Sequence, residues 1–244
     1  MSNGASKRTP HRTPLWAEIA RALRDEIAEG RYGPGDKLPT EAQMAERFGV
    51  NRHTVRHGVA SLVEAGVLRS RRGSGVFVAA APTDYPIGAR VRFTENLRRA
   101  GRMPGREILG QEVRAASAGE AEVLDVAEGA RVLASHSLSF ADRQPVALAE
   151  SIYPLDRLPG LPEALAEGKG VTHALRAAGV ADYTRASTRI TAVAATAVQA
   201  LHLHLSEGAP VLKTTSLNVD PEGVPIEFGR TWWAGDRITL TLED

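Results

Sequence analysis

The 244-residue chain contains no cysteine. That excludes disulfides and thiolate metal sites, and it fits a cytoplasmic protein. No apolar run approaches the roughly 18–20 residues of a membrane-spanning helix. The first residues, MSNGASKRTPHRTP, lack the apolar centre of a signal peptide. Catalytic signatures are missing as well. There is no GxSxG nucleophile elbow and no HExxH, and RRGSGV lacks the Lys-Ser/Thr ending of a P-loop. His202 and His204 in LHLHL stand two apart, a spacing that does not share a helix face. Glu120 and Glu122 read as solvated helix residues. No metal, cofactor or catalytic residue is therefore expected.

What is present suggests two domains of opposite charge. Residues 1–80 carry 13 Lys and Arg against 8 Asp and Glu, a balance of +5. Residues 81–244 carry 17 against 21, a balance of −4. A basic front half points to a polyanionic partner. Residues 1–13 are basic and polar and read as a disordered tail.

From residue 15, apolar positions Leu15, Ile19, Leu23 and Ile27 mark one helical face, which Gly30 ends. A second helix opens at Thr40, with Gln43 three residues on as a capping box, and breaks at Gly49. Asn51 caps a third, with Val50 and Val55 as its hydrophobic staple. Two short helices joined by a glycine turn form a helix-turn-helix pattern. The strand–turn–strand VLRSRRGSGVFV then reads as a wing with a basic tip.

The third helix begins with Arg52, His53, Arg56 and His57 on one face, opposite Val55, Val59 and Leu62. Cations beside the positive end of a helix dipole do not stabilise that helix. The face has no acidic residue within its own helix until Glu64. DNA supplies the missing counter-charge, because the first residues of a recognition helix meet base edges and phosphates in the major groove. Arginine binds guanine bidentately there.

The back half contains an internal repeat. Residues 124–138, LDVAEGARVLASHSL, and 203–217, LHLSEGAPVLKTTSL, match at 8 of 15 positions without a gap. After one added residue in the second copy, Pro145-Val146 corresponds to Pro225-Ile226. Each copy reads as a helix end, a strand, a polar turn and a second strand, so an α+β domain with pseudo-twofold character is expected. A cleft between the copies is a natural ligand site.

The stretch GDKLPTEAQMAERFGVNRHTVRHGVASLVEAGVLRSRRGSGVFV resembles the winged-helix domain of the GntR family of bacterial transcription regulators. The resemblance implies DNA contacts at Thr40, Arg52, Thr54, Arg56 and Gly73, with Arg72, Ser74 and Gly75 in the wing; His53 joins them from the face described above. Ala42 stands where many members carry arginine. The back half, over about residues 85–242, resembles the UTRA effector domain of the HutC subfamily through RVRFTENLRRAG, SLSFADRQPVALAESIYP and WWAGDR. YPIGARVRFTENLRRAGR together with TRASTRITAVAA is most similar to phosphonate-metabolism regulators of PhnF type.

The expected organisation is a basic tail (1–13), a winged helix-turn-helix domain (14–78), a linker (79–89) and a UTRA domain (90–244) that resembles chorismate lyase in fold. Thr94 reads as an N-cap where a strand over 91–93 yields to a helix over 95–100, a place suited to a phosphate or phosphonate. Arg92, and Arg90 on the same strand face, suit tetrahedral oxyanions. Resemblance adds Ser137 and Ser139, which stand where sugar-phosphate-binding relatives often have arginine, and Glu150, Tyr153, Arg189 and Trp233. Arg230 occupies the repeat position equivalent to Glu150. The expected protein is a homodimeric, ligand-responsive DNA-binding regulator acting on a palindromic operator through a small anionic effector. Three other readings stay open: a sugar-phosphate or carboxylate effector, a constitutive DNA binder, and an enzyme built on the chorismate lyase-like domain.

Overall fold

Thr40 shows how closely local chemistry sets the front half. Its hydroxyl accepts from the Gln43 N–H at 3.3 Å, and the Gln43 side chain accepts from the Thr40 N–H at 2.8 Å. This reciprocal box starts helix α2 (Glu41–Phe48), which Gly49 ends at φ +64°. Asn51 Oδ1 accepts from the Thr54 N–H at 2.8 Å and starts α3 (Arg52–Glu64). The computed structural model describes residues 14–71, 73, 75–79, 81–90 and 92–242. The tail 1–13 and the wing residues Arg72 and Ser74 lie outside the described residues.

The chain divides into two compact units, residues 1–80 and 81–244. In the first, α1 (Leu15–Ala28) crosses α3 closely at Gly58, where a Cβ would stand 2.8 Å from the Trp16 carbonyl oxygen. Leu23, Met44, Val55, Leu62, Leu68 and Val78 form the core. Strands β1 (Leu68–Arg71) and β2 (Gly75–Val78) pair antiparallel, and Lys37 bridges to Phe77 beside them.

The second unit opens with a strand inside the expected linker. In β3 (Thr83–Pro86), Thr83 and Tyr85 are buried while Asp84 and Pro86 are exposed. The alternation is hidden in sequence by prolines that resemble linker composition. β3 pairs in parallel with β10 (Ile238–Thr241), so this segment is part of the back unit.

The internal repeat emerges as two halves of one sheet. The first half is β4 (Pro104–Ala115), α5 (Ala118–Leu124), β5 (Arg131–Ala141) and β6 (Gln144–Pro154). The second is β7 (Thr184–Ala194), α8 (Ala197–Leu203), β8 (Pro210–Val219) and β9 (Pro225–Ala234). The sheet order β4-β5-β6-β9-β8-β7 places a pseudo-twofold axis between β6 and β9. The symmetry reaches two arginines, one just past each half. Arg157 donates to the carbonyls of Leu124 at 2.8 Å, Pro225 at 2.9 Å, and Asp125. Arg237 donates to the carbonyls of Leu203 at 2.7 Å, His204 at 3.3 Å, and Pro145. Each guanidinium thus caps the helix of its own half and pins the start of the second hairpin strand of the other.

Helices α5 and α8 pack on the outer face of the sheet, against Val132, Ile152 and Phe228, and against Leu138, Val211 and Trp232. The inner face is covered at two ends. Helix α4 (Phe93–Arg99) with β3 and β10 packs on Ala147 and Trp233. Helices α6 (Leu161–Ala166) and α7 (Val171–Ala177) pack on Leu133, Tyr153 and Tyr183. A cavity lies between these covers.

Glu120 corrects a sequence expectation. It is buried, not solvated, because Arg114 holds both its oxygens at 2.7 Å and the Ser117 N–H donates at 3.0 Å. The Arg114 hydrogen bonds bring its carboxyl from 4.5 down to about 2. Because the folded value lies below the unfolded one, the stabilisation is complete above pH 4.5 and is lost as pH falls toward 2, and it amounts to about 3 kcal/mol. Urea midpoints measured down that range should fall less steeply for Glu120→Gln than for the parent. Equal slopes would remove Glu120 from the acid response.

Candidate functional site

The DNA-reading candidates stand at the start of α3 and on the wing. Arg52, His53 and Arg56 are exposed. Arg56 is not without an acidic partner, as its own helix suggested: Glu41 of α2 takes its Nε at 3.0 Å and its Nη2 at 2.6 Å. His57 leaves the reading face to stack on Trp16 of α1, with ring centroids 4.3 Å apart. The Thr40 and Thr54 hydroxyls serve their helix caps, donating to Gln43 Oε1 at 2.9 Å and Asn51 Oδ1 at 3.0 Å. Gly73 and Gly75 take φ +74° and +112°, and Lys37 lies across Gly75, its Cε 2.8 Å from where a Cβ would be. A side chain at either glycine is therefore strained by the backbone, and at Gly75 it would also push aside the flexible end of Lys37.

In the back unit a cavity of about 680 Å³ opens on the inner face of the sheet. Arg92, Thr94, Ser139 and Trp233 line it, as the sequence suggested. Thr94 is not the N-cap. That position belongs to Arg92, without a side-chain cap, and Phe93 is already helical. The seven-residue helix therefore offers no capped anion site at Thr94. Arg92 Nη2 reaches Asp182 at 3.0 Å and the Tyr183 carbonyl at 2.9 Å, and its guanidinium lies 3.6 Å above the Tyr183 ring. Arg90 also pairs with Asp182, at 2.6 Å. Trp233 donates to Thr214 Oγ1 at 3.0 Å and packs on Tyr85.

Three expected residues face the other way. Glu150 pairs across the pseudo-twofold axis with Arg230, at 2.8 Å, on the outer face near Glu120. Strand alternation explains it: Ala149 and Ser151 face the cavity, so Glu150 between them does not. Arg189 lies opposite Thr215, next to the cavity-facing pair Thr188 and Ser216, and falls on the outer face for the same reason. Tyr153 has the inward orientation but is buried, its hydroxyl donating to Glu227 at 3.0 Å; burial pushes the phenol pKa up.

Several cavity residues had no sequence signal. Arg106 of β4 donates to Ser137 Oγ at 2.8 Å, so the arginine beside those hydroxyls comes from the neighbouring strand. Arg185 of β7 donates to Asn218 Oδ1 at 2.7 Å and Thr188 Oγ1 at 3.2 Å. Arg98, Lys169 and Arg176 complete the cationic lining, against the acids Glu95 and Glu227. Arg106 and Arg185 differ from Arg92 in having neutral hydrogen-bond partners, so their charge is available to an anion. The alternation that carries Arg185 inward was hidden by a register shift between Arg185 and Ser187.

A winged helix-turn-helix followed by a sheet domain with a cation-lined cavity defines a ligand-binding transcriptional regulator. The chain belongs to the GntR family of bacterial regulatory proteins, in its UTRA-bearing HutC branch: the GntR family model matches residues 15–78 and the UTRA domain model residues 99–239. It is 40% identical over 230 residues to an HTH-type transcriptional regulator of Rhizobium meliloti (strain 1021), covering 94% of each chain. It is 35% identical over 238 residues to the "probable transcriptional regulator PhnF" of Escherichia coli (strain K12), covering 93% of this chain and 94% of that one. The crystal structure of PhnF from Mycobacterium smegmatis superposes with a TM-score of 0.65 at 29% identity, over 94% of this chain and 98% of that one. These relatives are regulators rather than enzymes. Among the described residues no helix is long and apolar enough to cross a membrane.

Proposed function

We propose that the protein is a cytoplasmic repressor of phosphonate or phosphorus metabolism genes. It binds a palindromic operator as a homodimer and is released by a small anionic effector. The observation that carries this reading is the cavity lining, six cations against two carboxylates, with Arg106 and Arg185 held only by neutral groups among the described residues. An anion entering such a site exchanges water for charge-assisted bonds. The similarity to PhnF supports phosphonate chemistry. In the dimer, Arg52, His53, Thr54 and Arg56 read the major groove, and Gly73 and Gly75 bring the wing backbone close to the duplex. The effector favours a dimer arrangement whose two reading heads no longer match the half-site spacing, which requires different ligand affinities in the two arrangements.

The test combines thermal unfolding and operator anisotropy with phosphate, sulfate, methylphosphonate, glucose 6-phosphate and citrate. Phosphate or methylphosphonate should raise the unfolding midpoint and weaken operator binding. Arg106→Ala should lose both effects while binding operator normally without ligand. Arg92→Ala should also lower the midpoint of the ligand-free protein, because it removes the Asp182 and Tyr183 contacts. If no probe alters operator affinity, the protein is a constitutive binder. A response confined to glucose 6-phosphate or citrate would move it to the sugar-phosphate or carboxylate reading, which the hydroxyls of Ser139, Ser151, Thr188 and Ser216 along the cavity also favour.

A further inference from the structure

One row of facing residues carries a chain of hydrogen bonds from the interior of the back unit to its cavity. Glu227 of β9, Asn218 of β8 and Arg185 of β7 stand opposite one another in register. Glu227 is buried and accepts from Ser151 Oγ at 2.7 Å, Tyr153 OH at 3.0 Å and Asn218 Nδ2 at 2.6 Å. Asn218 is buried too, and its Oδ1 turns the other way to accept from Arg185 Nε at 2.7 Å. Thr188 Oγ1 accepts from Nη1 of the same guanidinium at 3.2 Å. A carboxylate only accepts and a guanidinium only donates, so the amide between them has one allowed orientation. Two guanidinium nitrogens are thereby held, and Nη2 takes part in neither bond.

An amide is not the strongest partner for this place. Other arginines of the unit meet carboxylates directly: Arg114 on Glu120 at 2.7 Å, Arg230 on Glu150 at 2.8 Å and Arg92 on Asp182 at 3.0 Å. Such charge-assisted bonds are roughly twice as strong as neutral ones. Asn218→Asp combined with Glu227→Gln would keep every bond of the chain. The new carboxylate accepts from Arg185, the new amide donates to that carboxylate, and Ser151 and Tyr153 still donate to the amide oxygen. The exchange would also set a negative charge on Arg185 and cancel the cation that an incoming oxyanion needs. In this protein the charge sits one strand further back, on Glu227, with a neutral group between.

We infer that Asn218 is a specificity-determining residue of the cavity: it orients Arg185 for an oxyanion while keeping the Glu227 carboxylate off the guanidinium. The inference rests on the anion-binding reading of the cavity and names the residue that keeps Arg185 available to the anion.

Calorimetry on the full chain with methylphosphonate and inorganic phosphate, with thermal unfolding alongside, tests it. Asn218→Asp alone should lower both the unfolding midpoint and the affinity, because it brings two carboxylates together. Adding Glu227→Gln restores the parent's net charge and the complete chain of bonds. This double variant should recover the ligand-free midpoint yet bind both probes about tenfold more weakly than the parent, the factor expected for losing one bond to a charged group. A purely structural Asn218 would let midpoint and affinity recover together. Parental affinity in the double variant would therefore overturn the inference and leave the anion site standing. Should the double variant fold poorly, Thr188→Asp beside Thr188→Asn puts a carboxylate on Arg185 Nη1 at a half-buried position. The carboxylate variant should again bind about tenfold more weakly than the amide one, and equal affinities there would also overturn the inference. No binding of either probe to the parent chain would remove the anion site and the inference together.

Discussion

Arg237→Met should lower the unfolding midpoint by about 6–12 °C, the shift corresponding to roughly 3 kcal/mol in a domain of this size. Methionine preserves much of the buried volume and removes every hydrogen bond of the guanidinium. The carbonyls of Leu203, His204 and Pro145 lose their charged donor, at the closed end of α8 and the start of β6. Buried carbonyls left without a donor carry their full desolvation cost. The pseudo-symmetric Arg157 supplies an internal comparison. It makes the same contacts to Leu124, Asp125 and Pro225, but it is only half-buried, so water replaces part of what Arg157→Met removes. Scanning calorimetry on both variants should therefore rank Arg237 as the more damaging loss. Equal or negligible shifts would mean that the repeat is held by its sheet and helices alone, with the two arginines incidental.

These arginines also show where the sequence was legible. The repeat was visible at 124–138 and 203–217 because those segments supply core positions and turns that both halves need. Its continuation into Leu155-Asp156-Arg157 and Gly235-Asp236-Arg237 is too short to stand out, and its meaning lies in carbonyls up to 92 residues away. The helix-turn-helix was readable because caps and staples are local: Thr40 with Gln43, and Asn51 with Thr54, act over three residues. The cavity was less readable. A strand places alternate residues on opposite faces, and a single register shift reverses the assignment. Glu150, Arg189 and Arg230, expected at the effector site, lie on the face away from the cavity. Arg106 and Arg185 come from the two edge strands, β4 and β7, and nothing local in either sequence says that their guanidiniums share one cavity. Glu120 reads as solvated in sequence because its partner Arg114 lies on a strand, outside the helix that carries Glu120.

Glu41→Gln should lower discrimination between operator and random DNA about tenfold, although it removes a negative charge from the surface proposed to face DNA. The two effects act in opposite directions. Loss of a carboxylate near phosphates raises electrostatic affinity for any sequence. The same loss frees the Arg56 guanidinium, whose Nε and Nη2 are held by Glu41 at 3.0 and 2.6 Å. Both side chains are solvent-accessible, and ion pairs in such places do little for stability. The geometry fits a different role, holding the plane of an arginine proposed to read a base. A bidentate arginine–guanine contact discriminates only when the fork arrives in the right orientation, and one such contact is worth about 1–3 kcal/mol against the wrong base. Among the described residues Arg52 has no comparable clamp, so Arg52→Ala should simply weaken operator binding, by about 1–3 kcal/mol if its proposed base contact is lost. An operator selected from a random pool, titrated beside a scrambled duplex at two salt concentrations, separates these effects. If Glu41 orients Arg56, Glu41→Gln binds the scrambled duplex more tightly and the operator less tightly. If Glu41 instead withholds Arg56 from DNA, both affinities rise together and the ratio holds.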